Sequence, residues 1–228
     1  MSKYDREEFQ SKIEETNIVI PTGFKINGIR TIAEHLSKSK KCLYLAKGPS
    51  LEFVDNHLWF GHVATVNEAC LRVPGPIDFA FFYDKNTLEN SKPAWNRIKT
   101  FVMSSLLYGD KINDDYVSIA DIDDLPLDRV LTFYKDQHEW DFDKIEDSLK
   151  NDEFVNTDTS VMGLHFLIMC GYSDILLLGH DGGVGYAGDI FGSSPNRNLT
   201  RFREIIEFVS EKLSNKYGVR IKFFGDMS

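Results

Sequence analysis

Two short polar segments stand where apolar runs end, and their residue types suit the holding of a phosphate and the movement of a proton. The first is Lys47-Gly48-Pro49-Ser50, which closes the apolar run Cys42 to Ala46 and leads into a segment of helical character. Such a strand-to-loop junction is where an α/β protein presents backbone N–H groups to a ligand phosphate. The second is Gly179-His180-Asp181-Gly182-Gly183, which follows the apolar run Ile175 to Leu178. A carboxylate at the end of a strand, followed by two glycines, meets a substrate with little steric obstruction, so Asp181 is the first candidate for a general base. Capping a turn is the competing role for the same side chain. His180, whose ordinary pKa lies near neutrality, is the alternative base. Neighbours in an extended chain point to opposite sides, so only one of the pair is expected to face a site.

Further polar groups follow other apolar runs: Asn67-Glu68 after Val63 to Val66, and Tyr83-Asp84 after Ile77 to Phe82. Thr159-Ser160 opens an apolar helical stretch. Asp84 has the chemistry to bind Mg²⁺, although an Asp before Lys85-Asn86 reads more simply as a turn former. Asp121, Asp123 and Asp124 lack the Gly and Glu of a calcium-binding loop and read as a solvated acidic loop. His165 lies within an apolar helix and reads as a core histidine. His138-Glu139-Trp140 has no second His at helical spacing, so a zinc-peptidase motif is absent.

The elements that must position these groups follow from periodicity. Short apolar runs at Cys42–Ala46, Val63–Val66, Ile77–Phe82, Thr100–Met103, Val130–Tyr134, Ile175–Leu178 and Val219–Phe224 have the character of buried parallel strands. Helices are expected over Leu51–Asn56, Lys92–Arg97, Thr159–Cys170 and Asn198–Tyr217. Thr157-Asp158-Thr159-Ser160 supplies N-cap candidates for the third of these, and Gly171 its stop. The alternation gives a doubly wound, mostly parallel sheet with helices on both faces. Residues 1–40 read as a helical extension, with helical spacing over Ser2–Thr16 and Phe24–Ser39, and residues 41–228 as the sheet-bearing part of a single domain. Tyr108–Asp128 reads as an irregular surface excursion. Gly182–Asn196, with five glycines around Tyr186 and Phe191, has the composition of a lid loop.

Composition sets outer limits. The net charge of −9 argues against a protein held on duplex DNA by phosphate contacts. Charge is segregated: residues 110–158 carry 16 acidic and 5 basic side chains, whereas residues 197–222 carry 7 basic and 3 acidic ones. The basic stretch could face a polyanion, or simply form solvated helix faces. Three separated cysteines in apolar contexts suggest buried thiols in a reducing compartment. With no bilayer-length apolar run and a charged start, a cytoplasmic protein is expected.

Taken in order, Gly48-Pro49-Ser50-Leu51, Val66-Asn67-Glu68-Ala69, Thr159-Ser160, Gly171-Tyr172-Ser173-Asp174-Ile175 and Gly179-x-Asp181 resemble the motif series of bacterial sialyltransferases. The same series resembles 6-hydroxymethylpterin pyrophosphokinase-like proteins, often encoded beside flagellin-glycosylation genes. The resemblance spans about Lys41 to Ala187 and implies a Rossmann-like domain that binds a nucleotide-activated sugar, CMP- or UDP-linked. It implies that Gly48, Pro49 and Ser50 lie against phosphate or ribose, and that Asn67 and Glu68 hydrogen-bond the nucleotide. It also implies that Thr159 and Ser160 surround the donor, that Gly179 contacts base or ribose, and that Tyr186 meets the departing phosphate. Three departures stand out. Lys47 replaces an Asn and could pair with a phosphate as a point charge. Val161 replaces a Gly, and no His follows His180, where the sialyltransferases carry a lid histidine as base.

The resulting expectation is an inverting glycosyltransferase acting on an acceptor hydroxyl, inversion being implied by the resemblance alone. The alternatives are Mg²⁺-dependent pyrophosphoryl transfer from ATP, with the metal on Asp84 or Asp181, and a binding module that has lost catalysis.

Overall fold

A computed structural model describes residues 40–53, 61–110, 115–133, 141–155, 157–182 and 200–224. Its core is an eight-stranded sheet: β1 (Lys41–Leu45), β2 (His62–Val66), β3 (Ile77–Asp84), β4 (Ile98–Asp110), β5 (Asp115–Ser118), β6 (Val130–Phe133), β7 (Asp174–Leu178) and β8 (Arg220–Phe223). The order is β5-β4-β3-β2-β1-β7-β8, with β6 beside the first half of β4. Every pairing is parallel except that of β4 with β5. From β1 the chain winds outward through β2, β3 and β4, then returns to lay β7 against the other side of β1. The reversal of direction therefore falls between β1 and β7.

Parallel strands are covered on both faces, which is why these runs are almost continuously apolar. Cys42, Tyr44, Ala64, Val66, Phe79 and Phe81 face one side, beneath α2 (Phe142–Lys150), α3 (Thr159–Met169) and α4 (Thr200–Tyr217). Leu43, Leu45, Val63, Ala80 and Phe82 face the other side, covered by Leu51, Cys70, Leu88, Trp95 and Ile119. Among the described residues that second face carries α1 (Lys85–Asn90) and short 3-10 turns. Ser160 to Met169 of α3 are all buried, because the helix lies between the sheet and α4. Its approach is set by Gly163, where a Cβ would fall 2.1 Å from the Tyr44 hydroxyl oxygen and 2.9 Å from the Phe81 ring.

The structure alters several expectations. The described part of the expected Leu51–Asn56 helix is a single 3-10 turn, Pro49–Phe53, and Lys92–Arg97 is 3-10 rather than α. The expected excursion over Tyr108–Asp128 contains the end of β4, all of β5 and a 3-10 turn. Helix α1 was not evident because it buries one side chain, Leu88, and so leaves no periodicity to read. Helix α2 buries Ile145 and Leu149 on an otherwise charged segment, under an Asp141 cap that accepts from the amides of Asp143 and Lys144. The segments expected to form two N-terminal helices, and the expected lid beyond Gly182, lie outside the described residues.

The basic C-terminal stretch is largely paired with acidic residues. Lys212 meets Glu146 at 3.2 Å, Lys216 meets Asp152, and Arg220 meets Asp174. Those partnerships remove the motive for a polyanion surface there. All three cysteines are buried and unbridged, and burial pushes the thiols of Cys70 and Cys170 up to about 11 and about 12. Among the described residues no helix is long and apolar enough to cross a membrane.

Gly163→Ala must force a methyl into the Tyr44 hydroxyl, and overpacking of this kind costs about 1–3 kcal/mol. At Gly75 an added Cβ meets nothing within 4 Å, so Gly75→Ala should stay within about 0.5 kcal/mol of the parent. Urea denaturation of the two variants side by side checks the contrast; equal midpoints would contradict the packing of α3.

Candidate functional site

The two polar segments singled out by sequence meet at the carboxyl ends of β1 and β7. Strand pairing continues past both strands: the Ala46 amide donates to Leu178 O at 2.8 Å and the Gly48 amide to Gly179 O at 2.7 Å. The Ser50 amide then donates to Asp181 Oδ2, and the Gly179 amide to Ser50 Oγ, each at 2.7 Å. Glycine is demanded on both sides. A Cβ on Gly48 would lie 2.6 Å from Gly179 O and 2.7 Å from Asp181 Oδ2. Gly179 has φ +76°, and its Cβ would stand 2.1 Å from Ala46 O. Gly48-Pro49-Ser50 and Gly179-His180-Asp181 are thus one interlocked structure at the point where the sheet's winding reverses. Ligands of open α/β sheets bind in the crevice outside such a point.

The interlock differs from a phosphate-cradling loop. The amides of Gly48 and Ser50 already donate within the protein, that of Leu51 bonds Gly48 O at 3.0 Å, and Pro49 has no N–H. The loop therefore supplies shape and close backbone approach, with its amide donors spent. A similar commitment holds at α3. Asp158 is its N-cap and accepts from Ser160 N at 2.7 Å and Val161 N at 3.0 Å. Val161, in place of a glycine, is accommodated because its side chain is fully buried in the core rather than turned toward the site. The Ser160 residue is itself buried, and Tyr44 Oη donates to Ser160 O at 2.9 Å, tying β1 to the helix start.

The end of β2 joins the same rim. Asn67 turns the chain off the strand with φ +51°, a left-handed conformation that Asn tolerates better than most residues. Its Oδ1 lies 3.3 Å from Thr87 Oγ1, which donates to Asp84 O at 2.9 Å. Glu68 is buried and bonds Lys47 Nζ at 2.7 Å, with Asn90 Nδ2 3.4 Å from its other oxygen. Lys47 therefore has a protein partner, a carboxylate across the β1/β2 boundary. Thr87 and Asn90 belong to α1, the helix without sequence periodicity, which is why neither was visible in the sequence.

His180 points away from this rim. It is 1% exposed, its ring lies 4.8 Å from that of Tyr44, and neither ring nitrogen makes a hydrogen bond of normal geometry. Burial, with a smaller contribution from the Arg203 guanidinium, pushes its pKa down to about 3, a proximity to Tyr44 backbone offsetting only part of the shift. Of the adjacent pair, Asp181 thus lies on the site side and His180 in the core, as extended-chain geometry requires. His165 is likewise buried, accepts from Val155 N at 3.0 Å through Nδ1, and is pushed down to about 3, again chiefly by burial. Asp124 pairs with Lys92 at 3.8 Å, and among the described residues no three His, Cys, Asp or Glu side chains group to hold a metal. Tyr186 and His138 lie outside the described residues.

No family model matches the sequence, and neither does any curated protein. Among solved structures the chain is similar to the Campylobacter jejuni sialyltransferase CstII in complex with CMP-3FNeuAc, at 14% identity over 82% of this chain and 83% of that one, with a TM-score of 0.48. It is also similar to the monofunctional α-2,3-sialyltransferase Cst-I of Campylobacter jejuni, at 18% identity over 84% and 78% of the two chains, with a TM-score of 0.48. An α-2,3-sialyltransferase of the same organism in apo form gives 16% identity, 84% and 78% coverage and a TM-score of 0.46. At such distances the roles of residues have to be argued from this chain's own geometry.

His165 and His180 make stability depend on pH in one direction. Their folded pKa of about 3 lies below the ordinary 6.5, so at intermediate pH the unfolded chain binds more protons. Their contribution is intact above about pH 6.5 and is lost progressively as pH falls toward 3. Each is expected to add up to about 1.4 kcal/mol per pH unit to the slope across that window. Urea titrations of His165→Gln and His180→Gln between pH 4 and 7 should show shallower slopes than the parent; unchanged slopes in both would refute the buried neutral state.

Proposed function

We propose that the protein is a glycosyltransferase that takes its sugar from a nucleotide-activated donor, CMP- or UDP-linked, seated at the carboxyl ends of β1, β2 and β7. The observation that carries this reading is the interlock itself. The two motifs most responsible for the resemblance to bacterial sialyltransferases, far apart in sequence, bind each other at the crevice where open α/β sheets hold nucleotides.

In this reading the Gly48-Pro49-Ser50 turn and Gly179 form a close-fitting floor for phosphate and ribose, and Asn67 offers its side-chain amide to the nucleotide. Thr159, half-buried at the start of α3, walls the donor, with the buried Ser160 held beneath it. Lys47, oriented by Glu68, places its charge toward the leaving phosphate, where negative charge develops. Asp181 commits Oδ2 to the Ser50 amide, and that bond fixes the carboxylate's orientation while Oδ1 faces the acceptor. The acceptor oxygen attacks the sugar carbon, its proton passes to Asp181, and the bond to the phosphate breaks with its electron pair leaving on the phosphate. A single displacement of this kind inverts the sugar carbon. Tyr186 is assigned to the departing phosphate on the resemblance. His180, as a neutral core residue, takes no part in proton transfer, and Asp181 carries the base role that the absent lid histidine would otherwise fill. No observation on the described residues favours Mg²⁺-dependent pyrophosphoryl transfer.

Asp181→Asn keeps an acceptor for the Ser50 amide and removes the base. It should therefore leave the thermal shift produced by CMP or UDP unchanged while lowering transfer from the corresponding nucleotide sugar by about 10²–10⁴-fold. Full turnover in this variant would remove Asp181 from catalysis. The absence of a shift with either nucleotide in the parent protein would overturn the donor site.

A further inference from the structure

The base assigned to the site sits in a stretch of backbone with little stiffness of its own. His180 and Asp181 lie between Gly179, at φ +76°, and Gly182, at φ +53°. Glycine enters this left-handed region about as readily as the right-handed one, so neither glycine imposes a direction on the pair between them. A carboxylate that must meet an acceptor oxygen needs its place fixed to within about 0.5 Å. Partners outside the segment therefore have to supply that order. The Ser50 amide does so for the carboxylate, and Arg203 is placed to do so for the backbone.

Arg203 is half-buried in the first described turn of α4. Its guanidinium makes three separate contacts. Nε donates to Glu207 Oε1 one helical turn on, the guanidinium carbon lies 3.7 Å from the centre of the Phe223 ring on β8, and Nη1 donates to His180 O at 3.4 Å. That oxygen belongs to the planar peptide unit whose nitrogen is Asp181's own, so holding it fixes the plane from which the Asp181 side chain departs. A lysine could not fill all three places, because an ammonium lacks the planar fork of donors. Packing against Phe223 does not by itself account for a cation here. Positive charge in the opening turn of a helix opposes the macrodipole, and this turn contains no acidic residue.

Resting on the glycosyltransferase reading, we propose that Arg203 is a positioning residue: held by Glu207 and Phe223, it fixes the His180 carbonyl and so aims Asp181 at the acceptor, touching neither donor nor acceptor itself. At 3.4 Å the bond is long, as hydrogen bonds in catalytic sites often are before substrate arrives. Asp181 is thereby secured through its carboxylate by the β1 loop and through its peptide by α4.

The test uses the full chain. Arg203→Met keeps a stem to cover Phe223 and donates nothing, and Glu207→Gln loosens the guanidinium from its outer side. Hydrogen exchange read by NMR should show the Ser50 amide exchanging at least about tenfold faster in Arg203→Met. The Ala46 and Gly48 amides, which bond β7 ahead of His180, should keep their parent rates. Should Arg203→Met fail to fold, Glu207→Gln carries the same readout, with Ser50 at least about threefold faster. Turnover is measured on whichever of CMP-N-acetylneuraminic acid, UDP-N-acetylglucosamine, UDP-glucose and UDP-galactose the parent uses, with water as acceptor. In Arg203→Met kcat should fall at least about tenfold with the donor KM unchanged. Adding Arg203→Met to Asp181→Asn should cost no more than about twofold further, since an effect exerted through Asp181 vanishes with it. Unchanged Ser50 exchange, equal acceleration at Ala46, Gly48 and Ser50, or a loss of turnover that adds fully to that of Asp181→Asn would each overturn the positioning role. Selective acceleration at Ser50 in a protein that turns over none of these donors would support the hold of Arg203 on Asp181 while sinking the reaction assigned to it.

Discussion

The arrangement depends on how closely the backbones of β1 and β7 approach beyond their last paired residues. Two glycines permit that approach, and four backbone amides are consumed in holding it, at Ala46, Gly48, Ser50 and Gly179. A side chain at either glycine would collide with main-chain oxygen, which cannot be displaced without parting the strands. The crevice therefore exists before anything enters it. A floor whose polar groups satisfy one another costs little ordering on binding, and it leaves recognition to the side chains around it.

Those side chains are themselves held by partners drawn from separate parts of the chain. Glu68 holds Lys47, Thr87 of α1 contacts Asn67, and Tyr44 of β1 holds the first turn of α3 through its carbonyl oxygens. The Lys47–Glu68 pair is mostly buried, and removing one member would leave the other as an uncompensated charge. It serves as a clamp between β1 and β2 as much as a charge for a ligand. Gly163 carries the same logic into the layer above, since only a glycine lets α3 come near enough for the Tyr44 hydroxyl to reach Ser160.

The strands and the two buried or amphipathic helices were legible because their signals are local. Runs such as Phe79 to Phe82 are apolar on both faces, and Asp158 before Thr159 announces a helix start. The two halves of the interlock were legible as residue types at strand ends, but not as partners, because strand order is a long-range property and 129 residues separate Ser50 from Gly179. For the same reason the sequence offered the Gly-Pro-Ser amides to a phosphate when the fold spends them on β7. It ranked Asp181 ahead of His180 as a base but left open which of the two faces the site, since that depends on the register of β7. Helix α1, with its contributions to Asn67 and Glu68, stayed hidden behind a single buried leucine.

The outer strands bear on how the protein behaves among copies of itself. An open sheet exposes unpaired N–H and C=O groups along each border, and a long flat border invites another chain to add on. Here one border is divided between β5 and β6, of four residues each and opposite direction, which share the single long strand β4. The other is β8, also of four residues, with Arg220 and Lys222 exposed along it. Short, charged and interrupted borders of this kind give an incoming strand too little length to pair with, so the described sheet resists edge-to-edge growth into larger aggregates.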